Sequence, residues 1–174
     1  MEGSVCFMKC TQDPEDGDKL RYGLEIAFRQ LIQEEKITEF YTFCRREGEL
    51  IAAEELSSFQ DAFDAVKLYC VVFKHNNAAY QGQDIIRYRK VLKKAERNYK
   101  IYSEYENEQM KAYDDFMLKE SGTALIIAHP VDFFRSDSFL SAYEGKTSVT
   151  LVDPQSGEVY DWRPKDGNGA FFKR

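Results

Sequence analysis

The sequence predicts an α/β fold: a Rossmann-like, doubly wound, mostly parallel sheet of about five to six strands with flanking helices and a C-terminal edge hairpin. Three observations lead there. Short apolar runs alternate with segments of helical period along the whole chain. The inner runs "LYCVVF" and "ALIIA" are continuous rather than alternating, as in parallel strands buried on both faces. After the last parallel run, "DPQSG" at Asp153 to Gly157 is a turn signal, so Glu158 to Trp162 is expected to return antiparallel.

Taken in order, the expected strands are Ser4 to Lys9, Glu39 to Cys44, Val66 to Lys74, Tyr99 to Ser103, Thr123 to His129 and Thr147 to Val152, each rich in β-branched or aromatic residues. The helices between them announce themselves by apolar stripes. Leu20, Leu24, Phe28, Leu31 and Ile32 form the first, and Ala52, Leu56, Phe59 and Phe63 the second. Ile85, Tyr88, Leu92 and Ala95 form the third, Met110, Tyr113 and Met117 the fourth, and Phe139, Ala142 and Tyr143 a short fifth. Strand, helix, strand in succession implies parallel strands joined by right-handed crossovers. Residues 1–162 read as a single domain and 163–174 as a C-terminal tail, whose Asp166, Gly167, Asn168 and Gly169 are expected to be mobile and whose Ala170, Phe171 and Phe172 are expected to dock on the body.

The totals narrow the function classes. A chain of 174 residues suffices for one core, and 43% hydrophobic with 31% charged residues excludes wholesale disorder. The formal charge of -6 argues against duplex binding, which rests on lysines and arginines displacing counterions from phosphates. No stretch approaches the ~20 apolar residues that span a bilayer, and the start lacks a basic region followed by an apolar one. Cys6, Cys10, Cys44 and Cys70 form no CxxC pair, which fits a reducing cytoplasm.

The segment "RYRKVLKKAERNYKIYSEYENEQMKAYDDFMLKESGTALIIA", Arg87 to Ala128, resembles the YpsA-like family of the SLOG superfamily, Rossmann-like proteins of nucleotide-type ligands. Tyr88, Val91, Leu92, Ala95, Tyr102, Ser103, Tyr105, Met110, Met117, Ser121, Ile126 and Ala128 fall in the family's register without gaps. More weakly, Cys6 and Phe7 with Pro14 and Leu20 look like the family's opening "CFTGHRPxxL", and Tyr41 to Phe43 with Ala52 to Glu54 look like "TTFISGxAxGxDxxAAE". The resemblance implies a ligand at the carboxyl rim of the sheet, yet the departures concentrate there. Lys9 replaces the glycine of the first βα turn, and Cys10 and Thr11 stand where histidine and arginine are expected. The second glycine-rich loop shrinks to Arg45, Arg46, Glu47 and Gly48, and the family's "RNR" becomes Tyr113, Asp114 and Asp115. Glycines there let backbone amides approach phosphate, and exchanging cations for carboxylates makes the local field repel it. The "PGGxGTxxE" signature of the superfamily's phosphoribohydrolases has no counterpart, so that hydrolysis is disfavoured.

The candidate ligand-binding residues are accordingly Lys9, Cys10, Thr11, Arg45, Arg46, Glu54 and His129. Lys9, Thr11, Arg45 and Arg46 could supply donors to an altered ligand, and Glu54, at the family's "AAE", could accept from a sugar hydroxyl, though ordinary helix composition accounts for it as well. Cys10, Cys44, His75 and His129 each end a strand on the rim, which raises zinc. A tetrahedral site needs donors at about 2.0–2.3 Å, and strands ~4.8 Å apart that splay as they twist do not gather four without dedicated loops. No catalytic residue, metal or cofactor is expected. His129 precedes Pro130, so the chain is extended there, with a modest chance of a cis bond. Arg87, Lys90, Lys94 and Arg97 form a basic stripe read as a solvated face rather than an RNA patch. Two functional readings stand: a diverged interaction or regulatory module that has lost standard nucleotide binding, acting with a protein partner or a second copy, and a binder or enzyme of a nucleotide-derived small ligand through altered contacts. Neither requires nucleic acid or a membrane.

Overall fold

In the computed structural model, residues 5–73, 80–101, 105–164 and 170–174 are described. Eight strands form one sheet: β1 Val5–Cys10, β2 Glu39–Thr42, β3 Lys67–Phe73, β4 Arg97–Ile101, β5 Thr123–Ile127, β6 Ser148–Val152, β7 Val159–Arg163 and β8 Ala170–Lys173. Their order across the sheet is β4-β3-β2-β1-β5-β6-β7-β8. The first six are mutually parallel, and β6–β7 and β7–β8 are antiparallel. This is the expected doubly wound sheet with its terminal hairpin, enlarged by one strand. The extra strand arises because Ala170–Lys173 pairs along β7, so the chain end that the sequence only suggested would dock does so as sheet.

The helices are α1 Gly17–Arg29, α2 Glu47–Ala62, α3 Gln83–Lys94, α4 Glu106–Glu120, α5 Pro130–Phe134 and α6 Asp137–Glu144. Helix α1 starts where the Asp16 carboxylate accepts the Asp18 N–H, and it runs into a π turn at Gln30–Glu34. α5 has no apolar stripe in the sequence. It forms because Pro130 occupies the first helical position, where its fixed φ suits a helix and its missing N–H costs nothing, after an extended His129. No cis peptide occurs among the described residues.

Alternate residues of every central strand enter opposite cores. Cys6, Met8, Phe40, Leu68 and Cys70 face α1–α3 with Leu24, Phe28, Leu56 and Tyr88. Phe7, Phe43, Phe73, Ile126 and Leu151 face α4–α6 with Leu118, Phe133 and Ala142. Burial on both faces is why these strands read as continuous apolar runs. The strand order reverses between β1 and β5, so the carboxyl ends of those strands open the crevice where sheets of this kind take ligands.

Candidate functional site

At that crevice the first two βα turns meet. β1 ends at Cys10, whose N–H donates 3.1 Å to Glu49 Oε1, and β2 is followed by Arg45, whose N–H donates 2.6 Å to Glu49 Oε2. Glu49, in the first turn of α2, is 1% exposed. Its two oxygens thus satisfy one backbone donor from each of the two turns. Burial pushes its carboxyl above the ordinary range, against the pull of Arg45 and of the two N–H groups.

The remaining donors are filled in the same manner. Asp13, in the loop after β1, accepts the Gly48 N–H at 3.2 Å and so occupies the amino terminus of α2, while its other oxygen accepts from Arg46 at 3.1 and 3.3 Å. Gln12 Oε1 accepts the His129 N–H at 3.2 Å. Thr11 gives its N–H to the Ile127 carbonyl. Gly48 is glycine because a Cβ there would lie 2.5 Å from Cys10 Sγ, a packing requirement and not room for phosphate.

The side-chain cations are spoken for too. Lys9 Nζ lies 2.9 Å and Arg45 Nη2 3.2 Å from the same oxygen of Asp114, which descends from α4 and is 8% exposed. The Arg45 guanidinium also stacks over Phe43, 5.1 Å from the ring centre, and donates to Met110 Sδ. Of the two carboxylates expected to repel phosphate, only Asp114 faces the rim; Asp115 accepts from the Ser141 hydroxyl of α6. The field at the crevice is therefore compensated rather than bare. Two buried atoms of this cluster, Asp114 Oδ1 and Arg45 Nε, have no protein partner.

Of the sequence candidates, Lys9, Cys10, Thr11, Arg45, Arg46 and His129 gather at this rim. Glu54 does not. It lies about two turns into α2, where its carboxylate is gripped by Arg87 of α3 at 2.7 Å through two donors and by Arg21 of α1 at 2.8 Å. Burial raises its pKa, but the two arginines outweigh that and hold it below the ordinary value. It staples the helix layer, away from the rim.

Cys10 donates to the Gln12 carbonyl at 3.2 Å, and burial pushes both its thiol and that of Cys44 well above the ordinary value, which disfavours the nucleophilic thiolate. Cys44 adopts a left-handed φ of 49°, in a turn held by the Tyr80 hydroxyl, whose single proton is shared between the Cys44 and Arg46 carbonyls at 2.8 and 3.1 Å. His75, with Tyr102 and Ser103, lies outside the described residues; among those described, no three metal-ligating side chains cluster. Sequence reasoning missed Gln12, Asp13, Glu49 and Tyr80. The available signal was position: two polar residues directly after β1 and an acid in the first turn of α2.

Comparison with known proteins adds one finding. No curated protein matches the chain, but the family model described as the YspA SLOG family matches residues 11–145. That span runs from the residue after β1 to the end of α6 and so contains both βα turns of the crevice. The chain belongs to the YpsA-like SLOG family, a nucleotide-related group of Rossmann-like modules.

Proposed function

We propose that this chain is a non-catalytic regulatory or protein-interaction module of the family, in which the inherited phosphate cradle is filled by the protein's own carboxylates and standard nucleotide binding is lost. One observation carries the reading: both oxygens of buried Glu49 accept the N–H groups of Cys10 and Arg45, the two turn donors that face the crevice. Asp13 on the start of α2 and Asp114 on Lys9 and Arg45 extend the same logic. A phosphate entering here must displace a desolvated carboxylate and also meet its charge, both unfavourable in a region of low dielectric. Residues 1–162 act as one module on this reading, with the chain end serving as sheet edge. Four buried, unpaired thiols favour a reducing cytoplasm. No helix among the described residues is long and apolar enough to cross a membrane.

The test is thermal shift with ATP, NAD and ADP-ribose at millimolar concentration. A ligand at 100 times its dissociation constant stabilises the native state by about 2.7 kcal/mol. No shift is expected from any of them. A second reading, a binder of a nucleotide-derived ligand, draws on Arg45 Nε and Asp114 Oδ1, a buried donor and a buried acceptor of the crevice cluster that have no protein partner. A shift with any of the three compounds that disappears in Arg45→Ala establishes that reading in place of the first.

A further inference from the structure

Outside the crevice, the helix layer holds a groove between α2 and α3. Its volume of about 460 Å³ falls within the roughly 300–1,000 Å³ of small-molecule sites. Val91, 2% exposed, and the methylene stems of the lysines beside it form the floor.

Two ion-pair clusters bound the groove. At one, the Arg87 guanidinium donates to Glu54 at 2.7 Å, to Glu47 at 2.8 Å and to Asp84 at 2.9 Å. At the other, Lys94 Nζ lies 2.8 Å from each oxygen of Asp61 and 3.3 Å from the Ser57 carbonyl. Glu54 with Arg87 and Asp61 with Lys94 are each joined across 33 positions of the chain, so the two helices advance in step. On that offset Ser57 stands level with Lys90, where a carboxylate would be needed to pair it. The Ser57 hydroxyl instead turns back on its own helix and donates to the Ala53 carbonyl at 2.9 Å. Lys90 and Lys93 line the groove, are exposed, and make no ion pair among the described residues.

Arg87, Arg89, Lys90, Lys93 and Lys94 stand on α3 against Asp84 alone, in a chain of net charge -6, so the groove is a local cationic exception that favours an anion. From Glu54 to Asp61 is seven residues of helix, about 10 Å. An extended peptide would place only about three residues there before meeting an ion pair. The carboxylates at both ends also disfavour a ligand with several anionic groups. One anionic group held mid-groove on an apolar body is what the size and the charges fit.

We propose that the α2–α3 groove binds a small carboxylate with an apolar body, the carboxylate at Lys90 and Lys93 and the body over Val91. The site is separate from the crevice and does not depend on what fills that crevice.

Amide chemical-shift titration of the full chain with naphthoate tests the proposal, with naphthalenemethanol supplying the body without the charge and acetate the charge without the body. A ligand of this size is expected to bind with a dissociation constant of about 1 mM. The amides of Ser57 and of Lys90 to Lys94 should shift, and those of Cys10, Arg45 and Gly48 should not. Each control compound should bind about fivefold more weakly or worse. Lys90→Glu should weaken naphthoate by about fivefold or more, and Ser57→Phe, which fills the groove, should abolish the shifts. Lys111→Glu makes the same charge change on α4, across the sheet, and should leave the affinity within about twofold. The spectrum of each variant shows directly whether it is folded. No saturable shift by about 10 mM overturns the proposal. So do naphthalenemethanol binding as tightly as naphthoate, a Lys90→Glu chain that binds like the wild type, or shifts centred on the crevice.

Discussion

Glu49 and Glu54 sit on the same helix and meet opposite fates. Glu49 lies at the crevice, accepts only backbone N–H groups with its two oxygens, and is raised in pKa by burial. Glu54, in the layer between α1 and α3, is met by two arginine side chains and lowered. The contrast separates two uses of a carboxylate. At the crevice it satisfies backbone donors of two turns, which on the proposed reading makes it a stand-in for a ligand anion. In the helix layer it joins three helices through charges that partly face water. The two regions should therefore respond very differently to the same mutation.

The largest effect is expected at the crevice. Glu49→Ala strips the buried Cys10 N–H and the half-buried Arg45 N–H of their acceptor, at about 1–3 kcal/mol for the first and about 1 kcal/mol for the second, so a loss of about 2–4 kcal/mol is expected. For a domain of this size that is a fall in Tm of roughly 5–15 °C. Glu49→Gln keeps one acceptor and should cost less. A calorimetric loss below about 1 kcal/mol for the alanine variant would show that water serves these donors equally well, and the distinction between the two carboxylates would then collapse.

Next comes Asp114. Its removal leaves Lys9, 13% exposed at its side chain, and Arg45 without their shared partner, so Asp114→Ala is expected to cost about 1–3 kcal/mol. It should also release two cations into the crevice. Isothermal titration with inorganic phosphate or ADP-ribose should then show binding that the wild type lacks. A destabilised variant that still ignores phosphate would indicate that Glu49 alone is enough to close the site.

How far the sequence revealed these regions follows from the range of the interactions. Strands β3 and β5 are legible because both faces bury apolar side chains, and α1 to α4 because their stripes are local. α5 carried only a proline as its signal. β8 depends on pairing with β7, which no local pattern states. At the crevice, Lys9 and Arg45 read as free donors for a ligand because Asp114 is 105 positions from Lys9 in the chain. Glu54 read as a rim carboxylate because its neighbours Ala52 and Ala53 fit a family motif, whereas its arginines come from two other helices. Glu49 stands out in the sequence only as an acid near the start of α2. Its role depends on which two turns the sheet order brings together.

A smaller effect is expected in the helix layer. Glu54→Gln weakens contacts to Arg21 and Arg87 whose side chains are 35% and 27% exposed, so solvent screens the loss. About 0.5–1 kcal/mol is expected by chemical denaturation, and phosphate binding should not appear. A cost equal to that of Glu49→Ala would mean that the helix layer, not the crevice, is the more tightly specified region.

The smallest and most diagnostic difference lies in pH dependence. Glu49 has a folded-state pKa above its ordinary 4.5, so its ionisation favours the unfolded chain. Stability from this group is full below that value and declines as pH rises through the interval up to the raised pKa. Glu54 has a folded-state pKa below 4.5, so its contribution is present above that value and is lost as pH falls through the lowered pKa. The difference in Tm between wild type and Glu49→Gln should therefore shrink on going from acid toward neutral pH. That between wild type and Glu54→Gln should shrink in the opposite direction, as the solution is made acidic. Parallel slopes would remove the electrostatic distinction between the two carboxylates even if their mutational costs differ.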